Sequence, residues 1–216
     1  MVLVTFLAGI LFGLALAAPP GPMNAIIAEE SVLRGWSSGF KAGLGAMTAD
    51  VVFFVLAYLG VASVVERVPT VRNVMVGIGG VLMLYFAYGA AAGARDHFHV
   101  DATGRSRGFS KAFVLALTNP YQILFWLTVG VGLLSPGQID VLSYASAALA
   151  DLVVVQTGSV WLLVGFFGGI VVWITGFPAA LVVAGRRMNR LAPVVAGLSA
   201  IVLAGFGVYF LVEAVL

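Results

Sequence analysis

The chain has 216 residues, 62% of them hydrophobic and 9% charged, with a mean hydropathy of +1.11. Soluble domains carry roughly 25% charged residues, so the polar surface needed to coat a water-soluble globule is missing. The net charge of +2 and a pI near 9.2 do not mark a nucleic-acid partner. The Lys and Arg residues fall in short stretches between apolar runs, which is a signal of membrane topology. There is no cysteine, which excludes disulfides, thiolate metal sites and dithiol relays.

Apolar stretches of about 20 residues recur along the whole length, as expected of transmembrane helices. Six spans fit, near 2–28, 39–63, 70–93, 110–134, 159–184 and 193–214. The first run lacks a basic leading segment, and prolines follow its small residues, so it reads as a first span rather than a cleaved leader. The connections are too short to hold a soluble domain. Residues 139–158 are apolar but contain Asp140, Asp151 and Gln156; they are expected to form an external interfacial segment or an extension of helix 5. Six spans place nine loop Lys and Arg on one side and two on the other, and the richer side is cytoplasmic. Both termini then face outward. A seventh span would put Arg186, Arg187 and Arg190 on the wrong side.

The expected architecture is therefore an all-α integral membrane protein with a single transmembrane domain over 1–216. Repeat one covers about 1–93, a cytoplasmic loop about 94–110 and repeat two about 111–216. Three spans per unit make the two halves enter the membrane in opposite directions, as in inverted-repeat transporters. The halves share one feature: an Asn beside a proline break, at Asn24 in the first and Asn119 in the second.

The break in the first half is "LAAPPGPMNAII", from Leu16 to Ile27. Proline lacks an N–H and clashes with the preceding turn, so the helix should unwind around Ala18 to Gly21. Pro22 then suits the first turn of a new half-helix. Its unpaired N–H groups and positive dipole end would lie well inside the bilayer. Irregular backbone at that depth survives only where it lines a cavity or is buried in protein, and an anion such as a carboxylate would satisfy those donors. In "LTNPYQILFW", Thr118 or Asn119 is a good N-cap and Pro120 a good first residue of a second half-helix. Two such N-termini facing one cavity would bind the carboxylate of a small zwitterion. The plainer reading is that each proline merely kinks its helix.

Asp50 lies near the middle of the second span. A carboxylate at that depth costs about 2.5–3.5 kcal/mol on insertion scales, so it usually faces a cavity and carries a function. It can take up a proton there, or hold a substrate's ammonium group; a protonated Asp bonded to a neighbouring helix is the structural alternative. Glu29 and Glu30 are expected at a solvated cytoplasmic end, Asp151 outside the hydrocarbon and Glu213 at the end of helix 6. His97 and His99 lack matched ligands and make a poor metal site, and no cofactor is called for. Gly39, Gly43, Gly45, Gly89, Gly93, Gly165 and Gly169 follow small-residue spacing that lets helices approach closely. Those faces would serve packing within the bundle or a homo-oligomer. "GIGG" at 77–80 lacks the strand and helix context of a phosphate loop.

"PPGPMN", "RGWSSGFKAGLGAMTAD", "LTNPYQILFW" and the ending "GFFGGIVVW…RRMNRLAPVVAGLSAIVLAGFGVYFL" resemble the LysE/RhtB family of amino-acid exporters over nearly the whole chain. The resemblance implies an inner-membrane protein of two inverted three-helix units. It would export amino acids or related small metabolites, driven by the proton gradient. The motifs fall on Pro20, Gly21, Pro22 and Asn24, on Asp50 as the proton-coupling acid, and on Asn119 and Pro120. The chain departs from the pattern in its long segment before helix 5 and in Val172–Trp173, where a tryptophan pair is common. Rival readings fare worse. A thiol-electron carrier needs paired cysteines. An aspartyl protease built on Asp50 and Asp151 lacks the setting around Asp50 that such enzymes use, and no HExxH pair exists for zinc chemistry. A non-catalytic assembly or sensor protein leaves the paired breaks unexplained.

Overall fold

The structure is a computed structural model and describes residues 2–59, 69–95, 107–140, 154–187 and 191–215. These form helices α1 (Val2–Ala17), α2 (Pro22–Arg34), α3 (Trp36–Tyr58), α4 (Pro69–Arg95), α5 (Gly108–Leu117) and α6 (Pro120–Phe125). A π-helical turn (Trp126–Gly130) leads into α7 (Val131–Leu134), then strands β1 (Gly137–Asp140) and β2 (Val154–Thr157), and helices α8 (Val160–Arg187) and α9 (Leu191–Val215).

Among the described residues, three helical stretches are long and apolar enough to cross a membrane, Trp36–Tyr58, Val160–Gly185 and Pro193–Val212. The pair α1 and α2 passes the same test together, bent by 85° at its break. The chain is thus a mostly helical, multi-pass membrane protein, and the break falls at Ala18–Gly21, where the prolines place it. A second interruption separates α5 from α6 at Thr118 and Asn119. Between α2 and α3 the chain reverses at Gly35, whose φ of +85° is costly for any residue with a Cβ.

The all-α expectation needs one correction. β1 and β2 pair antiparallel, Gly137 opposite Thr157 and Asp140 opposite Val154, so the described ends of the segment before helix 5 are strands rather than an extension of that helix. The pair is tied to the helix ends: Gln156 N–H donates to Thr5 Oγ1 at 3.3 Å, and Gly158 N–H to the Leu133 carbonyl at 2.8 Å. A ladder pairs the backbone of this polar-dotted segment without demanding a continuous apolar face. Asp151 lies outside the described residues, as do His97 and His99.

Helix packing follows the small residues. On α1, Gly9 and Gly13 sit against α8 so closely that a Cβ on Gly9 would overlap the Leu162 carbonyl and one on Gly13 the Phe166 carbonyl. From the other side, Gly165 and Gly169 meet the carbonyls of Phe6 and Ile10. Both helices thus use four-residue glycine spacing to bring backbones together; Gly9 and Gly13 were not among the sequence candidates. Gly43 lies against Ile174, Gly45 against the Phe109 carbonyl and Gly39 against Ser31, whereas Gly89 has open space around it. Gly80, the last residue of "GIGG", packs against Gly207 of α9, a packing role.

Glu29 and Glu30 are not solvated. Both are buried; Glu30 accepts from Arg34 Nη1 at 2.7 Å one turn away, and its side chain lies against Gly108, the first residue of α5. α5 covers this end of α2, which the sequence of α2 alone does not reveal.

Replacing Gly13 by Val should lower thermal stability in detergent, because overpacking typically costs about 1–3 kcal/mol. Gly176→Ala, where a Cβ meets nothing within 4 Å, should leave the melting temperature unchanged or slightly higher. Melting curves of the two purified variants decide it, and equal stability would mean that the α1–α8 approach is not tight.

Candidate functional site

The break in α1–α2 leaves carbonyls without helical partners, and Asn24 supplies them. Its Nδ2 donates to the carbonyls of Ala17 at 2.7 Å and Pro19 at 2.8 Å. Its Oδ1 accepts from Trp173 Nε1 of α8 at 2.9 Å. One amide group thereby uses both of its donors and an acceptor. Asn24 fastens the end of α1 to the start of α2 and both to α8.

α2 begins at Pro22 with Gly21 as its N-cap and no side-chain cap. Pro22 has no N–H to satisfy, and the amides of Met23 and Asn24 belong to the first turn, which lacks intrahelical acceptors. These residues open onto a cavity of about 300 Å³, at the lower end of the roughly 300–1,000 Å³ of small-molecule sites. Pro20, Gly21, Pro22 and Asn24 line it, as do Asp50 from α3, Asn119 and Gln122 from the second break, and Trp173 from α8. Its remaining wall is mainly apolar, with Leu16, Met23, Met47, Ile170, Ile174 and Phe206.

Asp50 is 5% exposed. Its Oδ1 accepts from Gln122 Nε2 at 2.7 Å and from Trp126 Nε1 at 2.9 Å. Gln122 and Trp126 are four residues apart, one above the other on a helix face, so one helix offers the carboxylate two uncharged donors. Trp126 is fixed by aromatic neighbours, edge-on to Phe54, Phe125 and Phe166 and stacked with Phe167. It also fills the space above Gly130, where a Cβ would stand 2.6 Å from its ring. The π-helical turn begins at this same Trp126; such turns often occur at functional sites.

The two breaks are not equivalent. Asn119 occupies the N-cap position of α6, its carbonyl accepting from the amides of Gln122 and Ile123. Thr118 instead ends α5: its hydroxyl donates to the carbonyls of Val114 at 3.0 Å and Leu115 at 3.2 Å, and it is not among the cavity-lining residues. Pro120 is the first residue of α6. Sequence reasoning did not single out Gln122, Trp126 or Trp173. The four-residue spacing after Asn119 was the available signal for the first two. At the Val172–Trp173 departure, Trp173 carries the contact and Val172 is exposed.

A bent span, a buried acid and a mainly apolar cavity with a few convergent polar groups define a multi-pass membrane protein with a cavity at its broken span. The chain belongs to the LysE-type translocator family, whose model matches residues 14–214. Among its relatives, YcgF of Bacillus subtilis, provisionally named for amino acid efflux, is 32% identical over 131 residues, covering 57% of this chain and 61% of that one. An uncharacterised membrane protein of Pseudomonas aeruginosa is 30% identical over 157 residues, 69% of this chain and 68% of its own. The leucine efflux protein of Salmonella typhimurium is 30% identical over 135 residues, 57% of this chain and 59% of its own. The matched region thus spans less than two thirds of the two relatives named for efflux. No solved structure matches the chain.

Asn24→Leu should lower stability, since it removes the partner of the part-buried Ala17 carbonyl and Trp173 indole N–H as well as of the exposed Pro19 carbonyl, with a cost of about 1–3 kcal/mol. Asn24→Asp keeps the acceptor for Trp173 but sets a carboxylate oxygen against the Ala17 and Pro19 carbonyls, so its melting temperature should fall as well. Unfolding followed by tryptophan fluorescence reads both. Wild-type stability in Asn24→Leu would show that the amide does not hold the break.

Proposed function

We propose that this protein exports amino acids or closely related small zwitterions across the cytoplasmic membrane, driven by the proton gradient. The observation that carries the reading is the cavity itself. It places the uncapped start of α2, Asn119 and the buried Asp50 around one space large enough for a small solute. Family membership and the names of the Bacillus and Salmonella relatives support the direction of transport and the class of cargo.

In this reading the cargo carboxylate docks at the first-turn amides of α2, where donors and dipole favour an anion. Pro20, Gly21 and Pro22 shape the opening, and Asn24 holds it in place. Asn119 adds a polar group from the second break, while Thr118 closes the end of α5 and Pro120 begins α6. Asp50 carries the proton, gaining it from the outside and releasing it inside as the carrier alternates.

Six spans complete the proposal. α4 has 27 residues, and at 1.5 Å per residue it exceeds the roughly 30 Å hydrocarbon core. α5, α6, the π turn and α7 together make the fourth span, broken at Thr118–Asn119 as the first is at Ala18–Gly21. A proline break in the first span of each half, though the two are bonded differently, supports two inverted three-helix repeats in the inner membrane, with both termini outside. The absence of native cysteine makes topology easy to read. Gln138→Cys should react with an impermeant thiol reagent from outside, and Arg107→Cys only after the membrane is opened. The reverse pattern would invert the topology.

Asp50→Asn should insert and fold yet lose gradient-driven export. Cells loaded with a panel of dipeptides and monitored for released amino acids test this and name the cargo. No efflux of any amino acid by the wild type would remove the export reading, and wild-type efflux by the variant would remove Asp50 from it.

A further inference from the structure

We infer that Asp50 is a shared site, holding either a proton or the ammonium group of the cargo, so that the two exclude each other within one cavity. The inference rests on the export reading and specifies how its two passengers are coupled.

Asp50 is buried and yet lines the cavity. Its two hydrogen bonds come from a neutral amide and a neutral indole, and both reach Oδ1. Neither supplies a positive charge, and Oδ2 is engaged by neither. A buried carboxylate without a cation is costly, because a low-dielectric site demands that charge be paired or neutralised. No other Asp or Glu, and no Lys, Arg or His, lines the cavity among the described residues. Of the polar side chains on the elements around α3, Asn24 of α2, Asn119 and Gln122 at the second break and Trp173 of α8 line the cavity with Asp50, and Trp126 of the π turn bonds it directly. None of these carries a charge. The charged residues of these helices lie elsewhere: Glu29, Glu30 and Arg34 further along α2 with Lys111 of α5 at its covered end, and Arg186 and Arg187 in the last turn of α8.

The missing positive charge must therefore come from the cavity. In the loaded state it is an ammonium group, whose three donors can reach Oδ2 while its carboxylate sits at α2. In the return state it is a proton. One acid takes one or the other, which fixes exchange at one proton for each zwitterion. It also leaves no second anion for a cationic side chain, and the apolar wall of Leu16, Met23, Met47, Ile170, Ile174 and Phe206 suits a neutral, apolar one.

The test uses the purified full chain in proteoliposomes, with radiolabelled leucine as probe and no proton gradient. Leucine–leucine counterflow needs the cargo site but no proton movement. If Asp50 only carried protons, Asp50→Asn would retain counterflow; if the site is shared, counterflow falls by about tenfold or more, the scale of a lost charge-assisted contact. The wild type supplies an arm that does not depend on the variant's folding. Its apparent leucine affinity should weaken as pH is lowered, approaching about tenfold per unit once protons outcompete the cargo. The deaminated analogue 4-methylpentanoate, which keeps the carboxylate and the chain, should compete at most weakly. Counterflow retained in Asp50→Asn, a pH-independent affinity, or full competition by 4-methylpentanoate overturns the shared site while leaving export intact. If wild-type vesicles exchange neither leucine nor any other amino acid of a full panel, the export reading itself fails, and the shared site with it.

Discussion

Every backbone N–H and C=O in an apolar surround needs a partner, and that single constraint organises this molecule. Most of the chain meets it with unbroken helix. Where Pro19, Pro20 and Pro22 interrupt α1–α2, the ladder is cut and carbonyls are set free. Asn24 answers for two of them with one amide group, and its oxygen fixes Trp173 of α8. The amides at the start of α2 have no side-chain cap, and the residues that carry them line the cavity. The break is thus bonded at the end of α1 and uncapped at the start of α2.

Asp50 poses the same problem in charge rather than in hydrogen bonds. Gln122 and Trp126 hold one of its oxygens without neutralising it. The aromatic cluster of Phe54, Phe125, Phe166 and Phe167 around Trp126 fixes the indole and carries it at the start of a π-helical turn. A change at Asp50 is thereby linked to a helix segment whose ladder is already irregular. α1 and α8 meet backbone to backbone through Gly9, Gly13, Gly165 and Gly169, and the same two helices supply Leu16, Ala17, Ile170, Trp173 and Ile174 to the cavity wall.

The candidate site was partly legible in the sequence, for physical reasons that differ by residue. Proline acts through its own ring and missing N–H, so Pro20 and Pro22 announce a break without reference to neighbours. Asp50 stands out because charge is scarce in a membrane-length apolar run. Thr118 looked like an N-cap by residue type, yet its hydroxyl turned back to the carbonyls of α5, a choice that Ser and Thr make wherever a helix end offers free acceptors. Glu29 and Glu30 looked solvated because their helix ends nearby; α5 covers them.

The sequence by itself determined the membrane class, the place of the first break and the acid in the second span, because each is set by local chemistry: apolar length, proline geometry, a lone carboxylate. Only the tertiary structure decided what meets them. Gln122 reaches Asp50 across 72 positions of chain and Trp173 reaches Asn24 across 149, and β1 pairs with β2 where the sequence offered an interfacial segment or a helical extension. Such meetings depend on how whole helices and strands pack, which residue type and spacing within one segment do not encode.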